Sequence, residues 1–218
     1  MIFINFKAYR ESFGKNAIEL ARIAEEVSKK SGVYIAVAAN HLDLPIIVKG
    51  VKIDVFAQHV DAIEFGSHTG SVSAEMIKEY GAKGSLLNHS EKRMKLSEID
   101  FCVSKLRKLG LFSIVCTNNV STTKAVAALK PDFVAVEPPE LIGSGIAVSK
   151  AEPEIVENSV NSAKEICKDI RVLCGAGISK HEDYIRALEL GADGVLLASG
   201  IIKAKDQKKA LEELVGLR

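Results

Sequence analysis

Tryptophan is absent from this 218-residue chain, and proline (5), cysteine (4) and aromatic residues (6%) are sparse. An excess of charge of either sign is missing too: 29 Lys and Arg stand against 28 Asp and Glu, for a formal net charge of +1. A chain so balanced has no global field with which to hold nucleic acid or an anionic membrane, so an anionic ligand must be met by a local device. Long apolar runs are lacking as well. Stretches such as Val33 to Ala39 and Ile46 to Val48 fall far short of the roughly 20 residues that span a bilayer. The start, Met1-Ile2-Phe3-Ile4-Asn5-Phe6-Lys7, has neither the basic region nor the small-residue cleavage site of a signal peptide. Cys102, Cys116, Cys167 and Cys174 lack the close pairing of zinc ligands or of a small disulfide framework. Each sits in an apolar run, where a thiol acts as a small buried hydrophobe. A reduced, cytoplasmic chain without a metal is expected.

What is present is the balance of a compact globular protein, 47% hydrophobic and 26% charged. Short β-branched runs alternate from end to end with segments that carry one apolar face. The strand candidates are Ile2 to Phe6, Val33 to Ala38, Ile53 to Ala57, Gly84 to Asn88, Leu111 to Cys116, Phe133 to Glu137, Arg171 to Cys174 and Gly194 to Leu197. Between them Ala17, Leu20, Ala21, Ala24 and Val27 recur at helical spacing, as do Ile99, Cys102, Val103, Leu106 and Leu109. The same pattern returns in Val156, Val160, Ala163 and Cys167, and in Ala210, Leu211, Leu214 and Val215.

Punctuation supports the parsing. Ser97 with Asp100 and Ser179 with Glu182 have capping-box spacing, and Asp206 can cap the last helix. Gly32, Gly50, Gly81, Gly110 and Gly191 stand where a left-handed residue would end a helix just before a strand. Gly81 to Leu87 also echoes Gly191 to Leu197 four units later, as a duplicated half-barrel would. Eight units in 218 residues give about 27 residues each, close to the minimum for a strand, a crossover helix and two short loops. The natural closure is a compact, single-domain α/β fold over residues 1–218, the (β/α)8 or TIM barrel. A doubly wound open sheet competes, but Lys7-Ala8-Tyr9-Arg10-Glu11-Ser12-Phe13 after the first strand contains no Gly-x-Gly-x-x-Gly turn.

Such barrels build their sites from the loops after the strands. There Asn5 and Lys7 follow strand one, Asn88-His89-Ser90-Glu91-Lys92-Arg93 strand four, and Gly175-Ala176-Gly177-Ile178-Ser179 strand seven. Ala198-Ser199-Gly200 follows strand eight. The last two loops pair small residues with helix starts, which expose backbone N–H groups to an anion, and they are this fold's recurrent phosphate seat. Glu137 ends an apolar strand, where a carboxylate emerging at a partly dry mouth suits proton acceptance. The loop after it, from Pro138-Pro139 to Gly143-Ser144-Gly145, reads as a hinged segment able to close on a ligand. His89 precedes a Ser-Glu helix-start signature, and a helix N-terminus there would keep its imidazole neutral. Period two would put Asn5 and Lys7 on one strand face, aiming a positive charge into the mouth. His41, His59, His68 and His181 show no ligand-like spacing.

Asn5-Phe6-Lys7, Asn88 to Arg93, Val136-Glu137-Pro138, Ile142 to Gly145 and the small-residue loops together resemble the triosephosphate isomerases, in particular the short archaeal type. The resemblance implies Glu137 as the base, His89 as the group polarising the substrate oxygens, and Lys7 as the stabiliser of enediolate charge. Asn5 would hold substrate; Ile142 and Gly143 would bring the lid to the phosphate; Gly177, Ala198 and Ser199 would complete its seat. Ser90 and Glu91 would steady Glu137 and Lys7. It further implies a small phosphorylated triose as substrate, no cofactor, and a homo-oligomer. The assembly would be at least a dimer, and a tetramer in the short archaeal type, with Gly66-Ser67-His68-Thr69-Gly70 inserting into a neighbour. Two departures stand out. Pro139-Glu140 replaces the usual Val-Trp of the lid, and Cys174-Gly175-Ala176-Gly177 replaces Tyr-Gly-Gly-Ser, so the usual latch on the closed lid is missing. A barrel aldolase forming a Schiff base on Lys7, and a phosphate-sugar binder without turnover, are the rival readings.

Overall fold

The computed structural model describes residues 1–138 and 147–217, with only the backbone of Val148 and Lys150. Eight parallel strands close on themselves in chain order. They are β1 (Ile2–Asn5), β2 (Ile35–Ala39), β3 (Val55–Ala57), β4 (Gly84–Leu87), β5 (Phe112–Thr117), β6 (Phe133–Val136), β7 (Arg171–Gly175) and β8 (Gly194–Leu197). Closure is explicit at β1, where Ile2 lies opposite both Ile35 of β2 and Val195 of β8. This is the expected (β/α)8 barrel.

The crossovers run through α1 (Lys15–Ser31), α2 (Leu44–Gly50), α3 (Ala74–Glu79), α4 (Leu96–Lys108) and α5 (Val120–Ala127). They continue through α6 (Val148–Ala151), α7 (Pro153–Ile166), α8 (His181–Glu189), α9 (Ser199–Ile202) and α10 (Gln207–Leu214). The periodic faces are the buried ones: Ala17, Leu20, Ala21, Ala24 and Val27 of α1 are fully covered, as are Leu211 and Leu214 of α10. Among the described residues no helix is long and apolar enough to cross a membrane.

Alternation along the strands separates two cores. Phe3, Phe56, Leu86, Ile114, Cys116, Phe133, Ala135, Leu173 and Leu196 fill the barrel interior. Their outward neighbours, such as Ile2, Ile4, Val134 and Val172, pack under the helices. Large and small residues interdigitate inside. Phe3 meets Phe56 and Phe133 edge-on at 5.4 and 5.3 Å between ring centroids, and Ala36, Ala38 and Ala135 leave the room.

Some local expectations are corrected. β2 starts at Ile35, because the backbone of Val33 is tied to the end of α1 by Ser28 Oγ (2.8 Å) and Ser31 Oγ (3.2 Å). The caps of α4 and α8 lie away from the expected pairs. Glu98 accepts the Lys95 N–H at 2.9 Å, and Asp183 accepts those of Ser179 and Lys180 at 3.2 and 3.1 Å. Asp206 caps α10 as expected, accepting from Lys209 N–H. Gly32, Gly81, Gly110 and Gly191 have positive φ, whereas Gly50 does not. At Gly50 a Cβ would meet the end of the Ile18 side chain, which would have to shift.

The half-barrel echo has a steric basis. Gly84 and Gly194 open β4 and β8, and a Cβ at either would collide with a neighbouring carbonyl oxygen, that of Phe112 or of Met1. Both positions need a residue without a side chain for the strands to close up.

Candidate active site

Phe133 and Ala135 face the barrel interior, so continuing the same alternation carries Glu137, the first residue past β6, to the top of the interior. It is buried, at 6% exposure. Its Oε1 lies 3.7 Å from His89 Nε2, and its Oε2 is covered yet accepts no hydrogen bond from any described residue, Ser90 included. A buried carboxylate oxygen without a donor is costly unless function uses it. Beneath it sits the Cys116 thiol, pushed well above its ordinary range by burial and then by the negative charge of Glu137.

His89 is equally buried and follows β4 through Asn88, whose φ of 56° ends the strand. No helix begins after it. Residues 90–92 form a turn closed by Lys92 N–H on the His89 carbonyl at 2.8 Å. The backbone N–H of Glu91 donates to His89 Nδ1 at 3.2 Å. A ring accepting at Nδ1 carries its proton on Nε2, the nitrogen that faces Glu137. The ring is oriented by this single amide rather than by a helix terminus.

Lys7 does not reach the mouth by strand alternation either. β1 ends at Asn5, and Lys7 is turned into the left-handed region with φ 49°. Asn5 supports that turn, its Oδ1 accepting the Lys7 N–H at 3.0 Å. Lys7 Nζ pairs with Glu91 Oε1 at 2.8 Å, the ammonium largely covered and the carboxylate half exposed. Glu91 thus joins two site residues, holding His89 through its backbone and Lys7 through its side chain.

Asn5, Lys7, His89 and Glu137 line one small cleft of about 80 Å³ together with Ala176, Gly177, Ser179, Ala198, Ser199 and Gly200. Gly177 has φ 71° in the loop after β7, and α9 opens at Ser199 without a side-chain cap hydrogen bond, so residues of both loops line the far wall of the cleft. At the base side, a Cβ on Gly175 would collide with Glu137 Cγ and stand 3.2 Å from Oε1, so this glycine gives the carboxylate its slot. Of the residues singled out in the sequence, Ile142 and Gly143 lie outside the described residues, with the rest of 139–146.

A family model described as triosephosphate isomerase matches residues 1–215. Curated proteins named triosephosphate isomerase are similar over nearly their whole length. That of Archaeoglobus fulgidus is 70% identical, covering 100% of this chain and 97% of its own. Those of Methanothermus fervidus and Methanocaldococcus jannaschii are 62% and 59% identical, each covering 99% of this chain and 97% or 98% of their own.

The chain belongs to the triosephosphate isomerase family.

Within this member of the family, one side chain that carries the site escaped the sequence. Gln58, just past β3, donates through Nε2 to Asn5 Oδ1 (3.2 Å), the Lys7 carbonyl (3.0 Å) and the Ala38 carbonyl (3.2 Å). It ties the strained turn of Lys7 to two strands. A lone glutamine has no motif to announce it. Three other histidines make structural contacts: His41 Nε2 meets the His59 carbonyl at 2.6 Å, His59 Nε2 meets Asp61 Oδ1 at 3.1 Å, and His181 Nδ1 meets the Leu214 carbonyl at 3.0 Å. Among the described residues no group of three or more His, Cys, Asp or Glu could hold a metal ion.

Proposed function

We infer that the protein interconverts dihydroxyacetone phosphate and D-glyceraldehyde 3-phosphate, an aldose–ketose isomerisation shared by glycolysis and gluconeogenesis. Family membership carries the reaction. The observation that carries the assignment of residues is a covered Glu137 Oε2 without a donor, set in one cleft with His89 Nε2 and Lys7.

The chemistry divides as follows. Glu137 takes the proton from C1 of dihydroxyacetone phosphate, and the freed electron pair forms the C1–C2 double bond while negative charge moves to the oxygen on C2. His89 Nε2–H donates to that oxygen, and the positive charge of the Lys7 ammonium stabilises the negative charge developing there. Glu137 returns its proton to C2 while the proton on O1 passes by way of His89 to the oxygen on C2, which completes the aldehyde and its neighbouring hydroxyl and restores both side chains. Gly177, Ala198 and Ser199 seat the phosphate on backbone N–H groups, Asn5 orients the substrate beside Lys7, and Ile142 and Gly143 belong to the segment that would cover it. Glu91 steadies Lys7; Ser90 is assigned to Glu137 only on the family pattern. This family is itself a standard worked case of a carboxylate base paired with a neutral histidine. No step is routed through a metal or an organic cofactor.

Conversion of dihydroxyacetone phosphate with a chelator present tests the reading, and no conversion would overturn it. The Schiff-base rival is disfavoured because Lys7 Nζ is engaged by Glu91 rather than presented as a free amine. Trapping of an imine by borohydride would reinstate that rival.

We read residues 1–218 as a single domain of a cytoplasmic homo-oligomer, a dimer at least and a tetramer by analogy with short archaeal relatives. In support, residues 64–70 form a fully exposed loop carrying Phe65 at 67% exposure, an apolar group that a second copy would cover. Sedimentation as a monomer at micromolar concentration would refute this.

A further inference from the structure

The loop after β7 holds a strained residue that the reaction chemistry does not require. Among the described residues four that are not glycine have positive φ: Lys7, Asn88, Lys130 and Ala176. The first two carry polar side chains hydrogen-bonded within the site, and Lys130 is an exposed turn residue. Ala176 has neither excuse. At φ 73° its β-carbon is disfavoured, yet the residue is buried, at 8% exposure, and belongs to the layer packed between strands and helices. Glycine would adopt this backbone freely, and glycine stands on either side of it.

The surroundings supply a reason for the methyl. Gly175 lies against the Glu137 side chain with no room for a Cβ. Gly177 continues left-handed at φ 71° along the far wall of the cleft. Beyond it, the N–H groups of Ser179 and Lys180 are held by Asp183 Oδ2. The arc leaves β7 at Gly175, paired with Leu196 of β8, and is held again at Ser179 and Lys180; between Gly175 and Gly177 Ala176 is the one residue with a β-carbon. Three glycines in a row would sample many backbone states; a buried methyl in the middle leaves few.

We propose that Ala176 is a positioning residue, its buried methyl locking the Gly175–Gly177 arc in the conformation that both braces Glu137 and presents the loop's backbone to the substrate phosphate. The proposal rests on the isomerase reading above. Wild-type turnover tests that reading first, and only an active wild type makes the variants informative about Ala176.

Ala176→Gly relieves the strain, so the variant is expected to melt at or above the wild-type temperature. Its kcat/KM falls about three- to tenfold, mostly through KM, and the inhibition constant for inorganic phosphate rises in step. Ala176→Ser keeps a β-carbon and restores the wild-type KM to within about twofold. A glycine variant kinetically equal to wild type would overturn the proposal. So would a serine variant as impaired as the glycine one. Unfolding of the glycine variant at assay temperature would likewise overturn it, by making the methyl a stability element only.

Discussion

His89 is useful because its tautomer is set by one backbone amide. With Glu91 N–H on Nδ1, the proton on Nε2 points toward Glu137 and the cleft, where it can be donated to an oxygen. Replacement by glutamine keeps a donor but loses the ring's rigid reach, so His89→Gln is expected to lower kcat by about 10²- to 10³-fold while KM moves far less. A large rise in KM with kcat unchanged would instead make His89 a binding group. The three principal side chains were legible in the sequence because each follows an apolar strand and falls within a family motif. Their geometry was not. Asn5 and Lys7 were expected to share a strand face, but Lys7 gets there through a left-handed turn that Asn5 and Gln58 hold, and a bond between side chain and distant backbone leaves no periodic trace.

At the scale of elements, the eight strands were legible from short β-branched runs, and the long helices from their apolar faces. Element ends were less so. Charged residues are dense where the βα loops enter the helices, so several capping choices compete by spacing alone: Asp183 caps α8 where Glu182 was expected, and only packing selects between them. The glycines opening β4 and β8 belong to this scale, because they let adjacent strands approach. Gly84→Ala would force the new methyl against the Phe112 carbonyl and the Phe56 ring, and is expected to destabilise the fold by about 1–3 kcal/mol. Chemical denaturation measures this. A variant as stable as wild type would mean that β4 and β5 can separate at no cost.

For the whole molecule, two of the shifted groups illustrate the pH dependence in different ranges. Burial is the largest influence on His59 and holds its imidazole below the ordinary 6.5, with the Lys92 charge adding to this and Asp61 opposing. A depressed folded value means that the unfolded chain binds the proton more readily, so this stability is present above about pH 6.5 and is lost as pH falls through the folded value. Glu26 behaves alike at lower pH. Hydrogen bonds from Lys208 and then Lys30 hold it at about 2, so its small, solvent-screened contribution is lost between about 4.5 and about 2. The melting temperature should therefore begin to fall below about pH 6.5, and His59→Gln should flatten the upper part of that decline while leaving the acid end in place. An unchanged profile would exclude His59 as the cause.

All of these scales meet in one claim: residues from β1, β4 and β6 converge so that a single carboxylate moves a proton on a small phosphorylated sugar. Exchange of deuterium from solvent into dihydroxyacetone phosphate, followed in wild type and in Glu137→Gln, tests it most directly. The account predicts rapid exchange by the wild type and a loss of about 10²–10⁴-fold in the variant, with inorganic phosphate still bound at near wild-type affinity. Exchange by Glu137→Gln at the wild-type rate would contradict it.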